Sequence, residues 1–113
     1  MISLRMHKIV ITTYFKKQIK KLFRKDKDFK DELKKTLLNF NKSNSISIGN
    51  GVYKVRMKKD GSGKSSGYRL YIFLIEVEGI IAPITVFSKN EKANLRKSEI
   101  SDHLENIIAE LKS

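Results

Sequence analysis

The chain has 113 residues, with 24 Lys/Arg against 12 Asp/Glu, a net charge of +12, two histidines and no cysteine. That length suits one domain over residues 1–113 with a modest core, and an apolar content of 40% argues against a wholly disordered chain. Without cysteine there is no disulfide scaffold, thiol nucleophile or cysteine-ligated metal, and His7 and His103 stand far apart, so neither a metal nor a cofactor is expected. No run of 18 apolar residues is present, and Ile9-Val10-Ile11 is too short for the apolar region of a secretory signal, so a cytoplasmic location away from membranes is expected.

Positive charge is concentrated early. Residues 1–42 carry +9, residues 43–75 carry +5 and residues 76–113 carry −2. Such a field concentrates a polyanion, which makes nucleic acid or a ribonucleoprotein the leading partner, ahead of an acidic protein or an anionic membrane.

In chain order, Lys8–Thr12 reads as a short β-branched strand. Thr12 or Thr13 then caps a helix whose apolar residues Phe15, Ile19, Leu22 and Phe23 recur at helical spacing, with Lys16, Lys17, Lys20, Lys21, Arg24 and Lys25 on the other face. Asp26 or Asp28 caps a second helix with Phe29, Leu33, Leu37 and Phe40 on one stripe. The Asn/Ser/Gly-rich stretch 41–51 reads as a loop. Three strand-like runs follow, Val52–Lys58, Tyr68–Val77 and Ile80–Ser88, with Glu78-Gly79 as a tight turn and Pro83 marking an edge or a bulge. A helix over Ser98–Leu111 closes the chain, with Ile100, Leu104, Ile107, Ile108 and Leu111 on one side. The expected fold is α+β: a small antiparallel sheet with a helical hairpin and a C-terminal helix, the helices packed on one face.

The chemistry concentrates in residues 51–69. Period-two alternation puts Lys54, Arg56 and Lys58 on one side of a strand. A basic glycine-rich loop with Lys64 follows, and the next strand opens with Arg69, a cation interrupting an apolar run. Gly63-Lys64-Ser65 is not a nucleotide-binding P-loop, because Lys58 stands where the first glycine belongs and a strand follows instead of a helix. Converging cations without a histidine or carboxylate pair suit RNA cleavage by the RNA's own 2′-hydroxyl. Arginines would stabilise the phosphorane, and a lysine crowded by other cations can transfer a proton near neutral pH. Lys89 ends the last strand, and Tyr53, Tyr68 and Tyr71 interleave with the cations as candidate stacking residues. The bland alternative is a solvated strand and helix face.

The run Tyr53-Lys-Val-Arg, then Gly61-Ser-Gly-Lys-Ser-Ser-Gly-Tyr-Arg, then Val86-Phe-Ser-Lys-Asn-Glu-Lys-Ala-Asn-Leu, then Glu99 in a final helix, resembles the RelE/HigB family of toxins from type II toxin–antitoxin pairs. The resemblance implies a microbial-ribonuclease-like fold and a metal-independent endoribonuclease that cuts mRNA, commonly on the ribosome. It also implies a neutralising antitoxin, expected to be helix-turn-helix and HigA-like, through which alone the pair meets promoter DNA. Carried over, Lys54, Arg56, Lys64, Arg69 and Lys89 are the implied catalytic residues. Lys58, Tyr68, Phe87, Lys16 and Lys20 are the candidate RNA-binding residues, read from the strand alternation, the interleaved aromatics and the basic helix face. Phe87 stands where some relatives have a tyrosine or histidine; it can stack on a base but cannot transfer a proton, which leaves that task to lysines. Two other functions fit the superfamily or the charge: a ParE-like gyrase poison, disfavoured by the filled basic site, and a non-enzymatic RNA- or ribosome-binding module.

Overall fold

A computed structural model describes residues 7–58, 67–88 and 94–113. Its elements run β1 (Lys8–Ile9), α1 (Thr13–Lys25), α2 (Phe29–Leu38), a 3-10 turn (Lys42–Asn44), β2 (Ile46–Gly49), β3 (Val52–Lys58), β4 (Gly67–Ile75), β5 (Ile80–Ser88) and α3 (Lys97–Lys112). The fold is α+β, as expected. The five strands form one sheet in the order β1-β5-β4-β3-β2. Every pairing is antiparallel except that of β1 with β5, so the sheet is mostly rather than wholly antiparallel.

Two expectations need correction, and one open alternative is decided. The stretch read as a loop contains β2, whose Ser45-Ile-Ser-Ile alternation pairs with β3 through Ile46↔Lys54 and Ser47↔Tyr53. Asn50 and Gly51 turn that hairpin with φ of 56° and 79°, both in the left-handed region that a mirror-image two-residue turn demands. Pro83 marks a bulge rather than an edge: Tyr71 pairs with Thr85 and Ile72 with Pro83, so Ile84 is the extra residue on β5. The helices do not share one face. Phe15, Ile19, Phe29, Leu33 and Leu37 of the hairpin pack on Val55, Leu70, Ile72 and Val86, whereas Ile107 of α3 packs with Tyr71, Ala82, Ile84 and Phe87 on the opposite side. β4 is buried on both faces, which is why it reads as a nearly unbroken apolar run.

The layers are tied together at the start of α1, where the backbone donors need partners outside the helix. Thr12 Oγ1 accepts from the Phe15 N–H at 3.1 Å. The Glu110 carboxylate of α3 accepts from the N–H groups of Thr13 and Tyr14. That contact caps one helix with a side chain from another. The hydrogen bond from the Thr13 N–H, the largest influence, holds the Glu110 carboxyl below its ordinary value of 4.5. A carboxyl lowered in the folded state contributes stability above its unfolded pKa and loses it as pH falls through the folded value. Glu110→Gln is therefore expected to lower the melting temperature at neutral pH, with the gap to the parent closing as acid protonates the Glu110 carboxyl, below the range where an ordinary carboxyl titrates. Thermal melts of both proteins between neutral and acid pH check this.

Candidate nucleic-acid interface

The register of β3, β4 and β5 sets the site. Arg56 lies directly opposite Arg69, and Arg69 directly opposite Phe87, so the three form one row across the sheet on the α3 side. Residues paired across adjacent strands share a face and bring their Cβ atoms to about 5 Å. The neighbouring row on that face is Lys54, Tyr71 and Thr85. Like charges placed directly opposite destabilise a sheet. Among the described residues no carboxylate pairs with Arg56 or Arg69, and the Nε of Arg69 is buried without a hydrogen-bond partner. A buried polar atom left unpaired costs on the order of 1–3 kcal/mol. Two costs fall at one place, with nothing among the described residues to offset either, which makes the row a candidate site for an anion.

The row's floor and wall are fixed by packing. Tyr71, buried, stacks on Phe87 with ring centroids 5.8 Å apart and planes at 29°. The Tyr71 hydroxyl accepts from the Leu95 N–H at 3.2 Å, which holds the segment leading into α3 against the sheet. Beside Leu95, Asn94 accepts through Oδ1 from the Lys54 ammonium at 2.8 Å. Lys54 is thereby aimed along the same face as the arginines. Sequence reasoning gave neither Asn94 nor the Tyr71 hydroxyl a role; Asn94 lies inside the run Val86–Leu95 that carries the family resemblance, and that was the available signal.

The residues expected at the site divide as follows. Lys54, Arg56, Arg69 and Phe87 are brought together. Phe87 is only 8% exposed with one side of its ring on Tyr71, so little of it is left to stack on a base. Lys58 closes β3 opposite Gly67. Lys64 and Lys89 lie outside the described residues. Tyr68 is placed elsewhere: as the neighbour of Arg69 it points to the other face, where it is buried against Phe29 and its hydroxyl donates to Asp26 Oδ2 at 2.9 Å. Tyr53 also belongs to that face. Lys16 and Lys20 are exposed on α1, in the layer across the sheet from the row. Of the histidines, His7 packs edge-on against Phe40 and His103 hydrogen-bonds the Tyr14 hydroxyl at 2.6 Å, so both are engaged away from the arginines.

Sequence and structure comparisons agree with this architecture. The profile of the family described as "RelE toxin of RelE / RelB toxin-antitoxin system" matches residues 8–111. The structure of a double arginine-to-alanine mutant of the E. coli toxin RelE in the free state is similar in fold, with a TM-score of 0.56 at 19% sequence identity over 90% of this chain and 98% of that one. A search of curated proteins gives no match.

Proposed function

Because the chain belongs to the RelE toxin family of toxin–antitoxin systems, we propose that it is an endoribonuclease that cuts mRNA, on the ribosome, through attack by the RNA's own 2′-hydroxyl. The observation that carries this reading is the Arg56–Arg69 pair. Empty, it is a repulsive juxtaposition. With a phosphodiester between the two guanidinium groups, the same charges become favourable, and more so as the phosphate passes to a phosphorane bearing additional negative charge. Interactions that strengthen toward the transition state are the ones that accelerate a reaction.

In the reaction the 2′-oxygen loses its proton as the O2′–P bond forms, the P–O5′ bond breaks, and O5′ takes up a proton, leaving a 2′,3′-cyclic phosphate and a 5′-hydroxyl. Arg56 and Arg69 hold and stabilise the phosphoryl oxygens. Lys54, oriented by Asn94, is the described lysine placed to carry a proton on that face, with Lys64 and Lys89 as the further candidates. The net charge of +12 supplies the long-range attraction to ribosomal and messenger RNA. No helix among the described residues is long and apolar enough to cross a membrane, which is compatible with action in the cytoplasm.

The family also implies an antitoxin. The surface that suits one is a groove of about 570 Å³ between β1, α1 and α2, floored by Ile9, Ile19 and Leu33 and bordered by Lys16, Lys30 and Lys34. At its borders Phe23 and Leu38 are 42% and 65% exposed. Apolar floor and cationic rim fit an acidic amphipathic segment. Phe23→Glu is expected to weaken binding of the cognate antitoxin at least tenfold by calorimetry, about the effect of one unpaired charge set against an apolar contact, while RNA cutting stays intact.

A reconstituted translation reaction with mRNA ends mapped by primer extension tests the main proposal. Discrete cuts that vanish with Arg69→Ala are expected. Intact mRNA and undiminished protein synthesis would overturn it, as would an Arg69→Ala protein that only binds RNA more weakly and cuts as before.

A further inference from the structure

What faces Arg69 from β5 is decided by the phase of that strand. The extra residue Ile84 lies between the Ile72↔Pro83 and Tyr71↔Thr85 pairs, so each residue after it takes the face its predecessor would have had. Without the bulge, the Ile72↔Pro83 register would run on to set Val86 opposite Arg69 and Phe87 opposite Tyr68. Phe87 would then belong to the hairpin side, and the row would end at an aliphatic side chain. The make-up of the arginine row thus depends on an irregular peptide upstream of it.

That peptide lies where the sheet offers no strand to hold it. β1 pairs with β5 only through Ile80 and Ile81, with one more backbone bond from the Val10 N–H to the Ile81 carbonyl at 2.9 Å. Farther along β5, α1 packs against the strand and Gln18 stands in for the missing neighbour. Gln18 Nε2 donates to the Ile84 carbonyl at 2.9 Å, and Gln18 Oε1 accepts from Thr85 Oγ1 at 2.6 Å. Ile84 and Thr85 are both buried. One side-chain amide therefore satisfies an acceptor and a donor on consecutive residues of the bulge. The helix that carries it is itself braced: one turn earlier the Tyr14 hydroxyl meets His103 of α3, and Glu110 caps Thr13 and Tyr14.

We propose that Gln18 is a positioning residue for the arginine row: by pinning the bulge at Ile84 it keeps Phe87 beside Arg69. The inference rests on the reading of that row as an RNA-cutting site. Gln18 acts through Ile84, Thr85 and Phe87, and the phosphoryl chemistry stays with the arginines. An apolar side chain of the same size would fill the space equally well. It would leave a buried carbonyl and a buried hydroxyl unpaired, and a bulge that shifts along β5 relieves both. The shift moves Phe87 without removing any cation, so it acts on the rate of cutting and not on the grip on RNA.

The test compares the parent with Gln18→Leu, which keeps the bulk and removes both hydrogen bonds, and with Thr85→Val, which removes one. Phenylalanine ring signals are followed by NMR, and cutting is titrated on mRNA-programmed ribosomes well below the melting temperature of each protein. In Gln18→Leu the Phe87 signals are expected to move while those of Phe29 and Phe40, in the hairpin core, stay in place. Its kcat should fall about tenfold with KM within about twofold of the parent, the pattern of a misplaced group. Thr85→Val should show a smaller loss, and the double variant no more than Gln18→Leu alone, because both act through one peptide. A lower melting temperature with unmoved Phe87 signals and unchanged kcat would overturn the proposal, leaving Gln18 a seal on the sheet edge; additive losses in the double variant would overturn it too. If Gln18→Leu does not fold, Thr85→Val is judged by the same two readouts. A parent that cuts no mRNA removes the nuclease reading by itself, and the Phe87 signals then decide the place of Gln18.

Discussion

Arg69→Met is expected to abolish RNA cutting and, in the same protein, to raise stability. Arg69 stands on a strand that is otherwise apolar, faces Arg56 across the β3–β4 ladder, and buries an Nε that has no partner among the described residues. Methionine keeps the length and apolar stem of the side chain while removing the repulsion and the unpaired donor. The gain is expected to be about 1 kcal/mol, the scale of one unfavourable cross-strand pair relieved. The loss in cutting should be about 10²–10³-fold or more, as when one donor to a developing oxyanion is deleted. Urea unfolding midpoints read beside primer-extension yields give both numbers from one preparation. A variant that is less stable as well as inactive would show Arg69 to be a structural residue and would remove the reasoning that ties its strained placement to substrate binding. Arg56→Ala should show a smaller stability gain, because Arg56 is exposed and its charge is already partly hydrated.

That trade-off bears on how far the site can be read without coordinates. Lys54 and Arg56 share a face by the alternation of a strand alone, and the sequence pattern suffices for that. Their relation to Arg69 depends on register, and register depends on where the hairpin closes: Lys58 pairs with Gly67, so Arg56 meets Arg69, and a shift of one residue would have set it against Tyr68 or Leu70. Tyr68 shows how proximity in sequence misleads. Interleaved with cations, it looks like a stacking platform, but adjacent strand residues point to opposite faces, and its face belongs to the hairpin core. β2 was hidden for a compositional reason. Asn, Ser and Gly dominate residues 41–51, yet Asn50-Gly51 is itself a hairpin-turn signal and Ile46 and Ile48 alternate with serines. Which face α3 occupies could not be read at all, because an amphipathic helix reports that it has a buried side and not which side of a sheet will bury it.

Ile107→Ala is expected to be the costliest substitution in α3 and to reach the site through the backbone. Ile107 is the fully buried residue of that helix, packed in the cluster that contains Tyr71 and Phe87, with Ile100, Leu104 and Leu111 only partly covered around it. Truncating a fully buried isoleucine costs on the order of 2–5 kcal/mol, depending on how far the cavity collapses. The larger hairpin-side core on the other face of the sheet does not depend on this contact. The loss should therefore appear first as local opening of α3, seen as faster amide exchange in residues 97–112 than in β4 and β5. Asn94 and Leu95 lead into α3 and carry the hydrogen bonds to Lys54 and to the Tyr71 hydroxyl. Once α3 opens, Lys54 loses its orientation while the arginine row, fixed by the strands, is retained. RNA affinity should then stay within about twofold while cutting falls by more than tenfold, the separation of orientation from binding that a misplaced reacting group produces. If exchange accelerates equally in β4, β5 and α3, the domain unfolds as one unit and α3 does not act as a separable support for the lysine. If exchange accelerates in α3 alone and cutting is unchanged, Lys54 is not the proton carrier on this face.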